Sequence, residues 1–376
     1  MGLVLAHAFP LEAQQQGAVL TYLLEPGPAP APVERAAAEF GVSPRRVRQL
    51  VHTARLFART VPPPQSLLEA ARLLEAGGIR TGNEVSAHLQ EAGLTVERLP
   101  VRALLRISDL FDLPSGRTPR AVGVHAASAD RGLVSGERGG AVVLVPPQEQ
   151  SPLRSYLDGL HLVLRHQIAV PMPGGGGGGR NAQPAPAPSV EVLRASPDAL
   201  AVLVDRDARL HLHTPTAASG GRSSRRGGHR WVWRAWDRDR QHHGATIRIA
   251  QRLLAVRART EAQLHQALVG ALANLPPSQR YDATVPPVPV LTAWLEDVAG
   301  QGSGLDRTAA GWSWDVTMPR VDAALVACCQ EQGGPVESLV LLEVLARQGY
   351  TTAAARALLS SSPVLQRVAP KKYALR

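Results

Sequence analysis

The sequence predicts a mainly α-helical chain with a small α/β segment in the middle, and three features carry that prediction. Apolar residues recur at i, i+3 and i+4 through most of the 376 residues. Helix-stopping glycines and capping residues, such as Gly333-Gly334, Gly349, Thr351 and Pro363, interrupt those runs at short intervals. A continuous apolar run at 141–145 (AVVLV) and a period of two over 190–214 mark the α/β part.

With 44% apolar residues the chain can bury sizeable cores in two or three domains. Its 34 Gly and 31 Pro exceed average usage and point to several linkers. Breaks fall at Pro26–Pro32, Pro62–Pro64, Gly174–Pro188 and Ser219–Gly228. The expected organisation is a helix-turn-helix in 1–60, a winged-helix-like module in 61–120 and a small α/β segment in 121–173. A Gly/Pro linker (174–189) and a β-hairpin with an Arg/Trp-rich stretch (190–244) follow. A second winged-helix-like module (245–317) and a C-terminal winged helix (318–376) complete the chain.

The elements follow in order. Segment 33–58 reads as helical and 66–108 as three short helices. The AVVLV strand precedes an amphipathic helix from Pro152 to His166. Over 190–214 the alternation of Leu200, Val202 and Val204, a turn at Asp205–Ala208, and Leu210 with Leu212 predict a β-hairpin. A weak internal repeat relates 66–113, 245–316 and 321–376: each has two helices, a third helix and a segment able to form a β-wing. In the second copy the wing is GWSWDV, with Trp312 and Trp314 on one face. In the last copy VLQRV and YALR are the wing strands, joined by a turn at Ala369–Lys372.

The sharpest local signal is residues 33–57, VERAAAEFGVSPRRVRQLVHTARLF. A helix-turn-helix needs a small residue where its helices cross and favours Gly in the turn; Ala37 and Gly41 stand four apart, as that geometry asks. Ala36, Phe40, Val42, Val47 and Leu50 plug the angle between the helices. Ser43 is a good N-cap and Pro44 a good first-turn residue. Arg45, Arg46, Arg48, Gln49 and His52 then face outward, and these residue types reach phosphates and base edges in a major groove.

This segment resembles the helix-turn-helix of sigma-70 region 4 and related bacterial regulators, in which a VSxxRVRQL string marks the recognition helix. The last 56 residues resemble a HARE-type winged helix, as in the bacterial RNA polymerase delta subunit, with an ending similar to RVAPKKYALR. Both resemblances are local, and no aromatic-rich sigma region 2 is present. They imply that Arg45, Arg46, Arg48 and Gln49 take DNA-facing positions, with Lys371 and Lys372 at a wing tip; Ser43 and Arg356 are counted with them as DNA-binding candidates.

Charge adds to this reading: 41 basic against 31 acidic residues give +10, a balance that suits polyanion partners. The only lysines are Lys371 and Lys372, so the positive charge is almost all arginine. A GC-rich genome produces that bias unaided, and the placement of arginine therefore matters more than its number. In 222–243 Arg222, Arg225, Arg226 and Arg230 form a basic arm beside Trp231, Trp233 and Trp236. Arginines neutralise phosphates while indoles stack on unpaired bases, or else the tryptophans fill a core.

Other constellations point away from catalysis. His211, His213, His229, His242 and His243 cluster without a nearby Cys or a metal-binding spacing, so no metal or cofactor is expected. Asp205, Asp207, Asp237 and Asp239 alternate with arginines, as on a solvated, self-paired surface. Cys328 and Cys329 are adjacent on an apolar helix face, which predicts burial and argues against a disulfide scaffold. The glycine run at 174–179 lacks the GK[ST] of a phosphate loop, and no nucleophile elbow appears. No apolar run reaches the roughly 18 residues of a membrane span. The first 24 residues lack a basic n-region and are interrupted by Gln14–Gln16, so a cytoplasmic, bacterial-style protein is expected.

The sequence thus predicts a non-enzymatic protein that binds DNA, duplex in preference, and acts in transcription regulation or beside RNA polymerase. The alternative is an interaction scaffold, for example in a phage-defence or stress-response complex, whose winged helices bind protein. The oligomeric state is left open.

Overall fold

The computed structural model describes residues 11–25, 31–95, 98–111, 120–122, 143–172, 194–207, 209–214, 230–236, 244–275 and 284–376. These residues form a mainly α-helical protein with small antiparallel sheets. The chain divides into two compact units, one of residues 1–156 with 189–206 and the other of residues 157–188 with 207–376. Among the described residues no helix is long and apolar enough to cross a membrane.

The first unit begins with α1 (Ala13–Leu24), α2 (Ala31–Phe40) and α3 (Pro44–Ala58), followed by α4 (Gln65–Ala76), β1 (Arg80–Thr81), α5 (Gly82–Glu91) and α6 (Val101–Leu110). Strands β2 (Arg120–Val122) and β3 (Val143–Val145) complete its sheet, in which β3 lies between β1 and β2. Residues Val143–Val145 of the AVVLV run are therefore the central strand of this sheet, and all three are buried. One core joins Ala18, Val19 and Leu23 of α1 and Leu50, Ala54 and Ala58 of α3 to Leu67, Val85, Leu104, Ile107 and Leu144. Burying this continuous apolar surface is what fixes α3 on the unit.

Arg106, one of the few basic residues of α6, serves structure. Its Nη1 donates to the carbonyls of Tyr22 (3.1 Å), Leu23 (3.4 Å) and Glu25, and its guanidinium lies 5.6 Å over the Tyr22 ring. A cation there satisfies carbonyls that the C-terminal end of α1 leaves open and complements the helix dipole. Burial lowers its pKa, and the neighbouring Tyr22 opposes that shift. Arg106→Leu is expected to cost roughly 1–3 kcal/mol, because partly buried carbonyls lose a charged donor. A chemical-denaturation midpoint unchanged from wild type would contradict the capping role.

The 190–214 segment corrects the expected β-hairpin. After α7 (Gln150–Val163) and β4 (Val170–Pro171), residues Pro197–Asp205 form a helix, α8. Ser196 caps it, its hydroxyl accepting from Ala199 N (3.1 Å), with Pro197 in the first turn and Asp198 beside it. The same hydroxyl donates to Glu84 (2.7 Å), the carboxylate that closes the capping box of α5 with Thr81. Leu200, Leu203 and Val204, at helical spacing, are all buried. The apolar run ALAVLV suits either period, and the Ser-Pro-Asp start decides for the helix. The true partner of β5 (Leu210–His213) is β6 (Trp231–Arg234), with His211 opposite Trp233.

In the second unit β6 lies between β4 and β5. Helices α9 (Ala245–Val256), α10 (Glu261–Asn274) and α11 (Val288–Gly300) follow, then β7 (Leu305–Thr308) and β8 (Gly311–Trp314). Trp312 and Trp314 are both buried, as the alternation in GWSWDV predicts, and Trp312 also bridges to Arg259. Last come α12 (Arg320–Gln332), β9 (Val336–Glu337), α13 (Ser338–Arg347), α14 (Thr352–Ser361), β10 (Leu365–Ala369) and β11 (Lys372–Leu375). Gly333 ends α12 in the left-handed region, Thr351 caps α14, and Cys328 and Cys329 are buried free thiols.

One strand order recurs in every sheet of the described residues. The last strand sits in the middle, between its hairpin partner and a short strand earlier in the chain: β1-β3-β2, β4-β6-β5 and β9-β11-β10, with β8 between β7 and the Arg259 bridge. The copies read over 245–316 and 321–376 hold this order within their bounds, whereas the copy read over 66–113 contains only β1: its wing strands β2 and β3 lie beyond residue 113, β3 in the stretch expected to be a separate α/β segment. The β4-β6-β5 sheet repeats it where the sequence pattern had shown none.

The Asp205–Asp239 region differs from the solvated surface expected of it. Asp237 and Asp239 lie outside the described residues and Asp205 is exposed, but Asp207 is half-buried. It accepts two hydrogen bonds from the Arg209 guanidinium (2.8 and 2.7 Å) and one from His161 Nε2 (2.8 Å). Burial disfavours its charge, but bonds from the Arg209 side chain and backbone and from His161 outweigh that and hold the carboxyl well below the usual range. A depressed folded pKa contributes stability that is present above the unfolded value near 4 and lost as pH falls below it. Asp207→Asn is therefore expected to lower the urea midpoint at pH 7, and the gap to wild type is expected to narrow progressively as pH falls from about 4 towards the much lower folded value. A gap that stays constant with pH would show that the ion pair is not its source.

Candidate nucleic-acid interface

The turn between α2 and α3 is built from three local choices. Gly41 adopts φ 63°, and Val42 N donates across it to Ala37 O (3.0 Å), which closes the end of α2. Ser43 then caps α3, its hydroxyl accepting from Arg46 N at 3.2 Å, and Pro44 begins the first turn. Val33, Ala36, Ala37 and Val47 fill the angle between the two helices. Phe40 packs over Gly17 of α1, where a Cβ would lie 2.4 Å from the ring.

Val47, Leu50, Ala54 and Ala58 form the buried stripe of α3. The opposite face is left to solvent, and Arg45, Arg46, Arg48, Gln49 and His52 are all exposed there. Arg55, exposed one turn beyond His52, extends this face; its spacing from Arg48 was readable in the sequence. The helix carries no acidic residue. Among the described residues the guanidinium groups of Arg45, Arg46 and Arg48 have no carboxylate partner. Arg45 and Arg46 also stand in the first turn, where the helix dipole disfavours cations. An anion at this end would relieve both the dipole conflict and the mutual repulsion.

The helices at comparable places in the repeats differ. On α6, Arg106 turns inward as a cap. On α8 the charges are Asp198 and Asp205, and on α11 they are Glu296 and Asp297, with no basic residue on either. On α14 the only charge is Arg356, which is exposed. Lys371 and Lys372 are exposed at the β10–β11 turn, where Lys371 adopts φ 60°.

The Arg/Trp-rich stretch contributes core more than surface among its described residues. Trp233 is fully buried in β6, and Trp231 and Trp236 pack on the same core. Arg230 is half-buried, its carbonyl accepting from Met172 N. Arg222, Arg225 and Arg226 lie outside the described residues, as do His229, His242, His243 and the 174–189 linker. His211 stacks on Trp233 (5.7 Å, 7° between planes) and His213 lies 5.5 Å from the same ring. Burial, helped by His211, lowers the pKa of His213. These imidazoles pack on an indole, and among the described residues no group of three or more metal-binding side chains forms.

No protein-family model, curated protein or solved structure matches this chain.

Proposed function

We propose that this protein binds duplex DNA through α3, in a helix-turn-helix formed with α2, and acts in transcription regulation or beside RNA polymerase as a cytoplasmic, non-enzymatic factor. The observation that supports this reading is the solvent face of α3: arginines, a glutamine and a histidine, no acid, and a buried stripe that holds the helix by its other side. Arginine contacts to phosphate would position the chain, and Arg48 and Gln49 would meet base edges. Lys371, Lys372 and Arg356 would add phosphate contacts from a C-terminal winged helix, and such weak sites reinforce each other through effective concentration.

The test is fluorescence anisotropy of the whole chain with mixed-sequence duplex and single-stranded DNA over a salt series, whose slope counts the phosphates engaged. A steep slope with duplex preference is the expected result. No binding at low salt would overturn the reading.

A second reading, in which the repeats dock protein, draws on the C-terminal repeat. Leu339 and Val368 there are 65% and 47% exposed, while the helices α8 and α11 carry acids unsuited to DNA. In that case a variant combining Arg45→Ala with Arg48→Ala would keep its protein partner in a pull-down.

A further inference from the structure

The second unit holds an open cleft of about 720 Å³ that the DNA reading leaves unused. Three separate segments wall it. Trp236 stands just past β6; Arg248, Gln251 and Arg252 lie at i, i+3 and i+4 on α9; and the Gly302–Gly304 turn faces the Asp315–Pro319 connection.

Each wall brings a different chemistry. The Trp236 ring lies 5.4 Å from that of Trp314, which lies 6.1 Å from that of buried Trp294. A chain of indoles rooted in the core thus holds Trp236 in place. Arg252 lies 3.2 Å from the carboxylate of the deeply buried Asp322, an ion pair that directs its side chain. Arg248 is exposed, with no carboxylate partner among the described residues, and is the free cation of this face. Between the two, Gln251 offers one amide donor and one acceptor. Val316, Met318 and Pro319 supply an apolar flank.

We propose that this cleft binds one nucleotide unit, with its base against Trp236, its base edge read by Gln251 and its phosphate on Arg248. A planar aromatic ring carrying hydrogen-bonding edges and an anion matches Trp236, Gln251 and Arg248, and leaves the exposed carboxylate of Asp315, also on the lining, to solvent. An apolar ligand leaves Arg248 and Gln251 unmatched, and an acidic peptide leaves the indole unmatched. The volume falls within the range of small-ligand sites. The unit comes either from a free nucleotide or from an unpaired position in a strand. All the cleft residues belong to the second unit, so the proposal stands apart from α3.

Isothermal titration of the whole chain with adenosine, guanosine, cytidine and thymidine 5′-monophosphates, adenosine, inorganic phosphate and a short oligothymidylate tests it. At least one monophosphate or the oligothymidylate is expected to bind saturably, more tightly than adenosine or phosphate alone. Arg248→Glu, at an exposed position, is expected to weaken that binding about tenfold or more, and Gln251→Ala to weaken it several-fold. Arg45→Ala with Arg48→Ala is expected to leave it unchanged, which separates this site from duplex binding. Oligothymidylate binding more than about tenfold tighter than any mononucleotide identifies the strand as the source, and equal affinities identify the free nucleotide. No saturable binding by any probe, or binding that both cleft variants leave intact, overturns the proposal.

Discussion

Arg45→Ala combined with Arg48→Ala is expected to weaken duplex DNA binding by about 100-fold while leaving the fold intact. Removing two contacts of this kind costs about 1–3 kcal/mol each, and each lost phosphate contact lowers the salt slope by about one. Both side chains are exposed, and the stripe that holds α3 is Val47, Leu50, Ala54 and Ala58. The melting temperature should therefore stay within a degree or two of wild type. Anisotropy across a salt series reads both quantities at once. Wild-type affinity with a wild-type slope would remove α3 from the interface. Reduced affinity with an unchanged slope would place the two arginines on bases alone.

Trp233→Ala is expected to be among the most damaging single substitutions for stability. Trp233 is 2% exposed on the central strand of its sheet, and its indole Nε1 donates to Asp297 of α11 at 2.8 Å. Asp297 also accepts from Gln301 (3.0 Å) and lies 3.5 Å from His211, so the indole anchors a small polar network as well as a core. Truncating a buried tryptophan costs about 3–5 kcal/mol, a large share of the stability of a domain. Trp233→Phe keeps one ring but loses the donor and part of the buried indole volume, and about 2–3 kcal/mol is expected for it. Urea unfolding followed by circular dichroism separates the two. Equal losses for Ala and Phe would mean that the donor and the extra indole volume, rather than the packing that one ring keeps, carry the effect.

The parts legible in the sequence are those set by neighbours along the chain. The α2–α3 turn was legible because Gly41, Ser43 and Pro44 act on adjacent residues, and the exposed face of α3 because one helix period defines it. Gly333, Thr351 and Pro363 bounded the last helices for the same reason. The 190–214 segment failed because ALAVLV is too short for its period to decide; Ser196 and Pro197 held the answer. Strands β1, β4 and β9 are two residues long, too short to show any period, so the recurring sheet order was hidden. The cleft was hidden because residues 236, 248–252 and 302–319 meet only through tertiary packing.

The central position of each last strand has a consequence for where this chain tolerates added sequence. The hairpin connection is Ala309–Ala310 between β7 and β8 and Pro370–Lys371 between β10 and β11, yet residues 123–142 separate β2 from β3 and residues 214–230 separate β5 from β6. The pairing order is the same in all four. Closing a loop about ten times longer adds only about 2 kcal/mol, because the cost grows with the logarithm of length. The hairpin ends are thus insertion points at which new residues can accumulate without disturbing the strands that flank them. Arg222, Arg225 and Arg226 belong to one such insertion. A basic segment acquired there could be lengthened, recharged or replaced by a foreign peptide while the strands on either side kept their register.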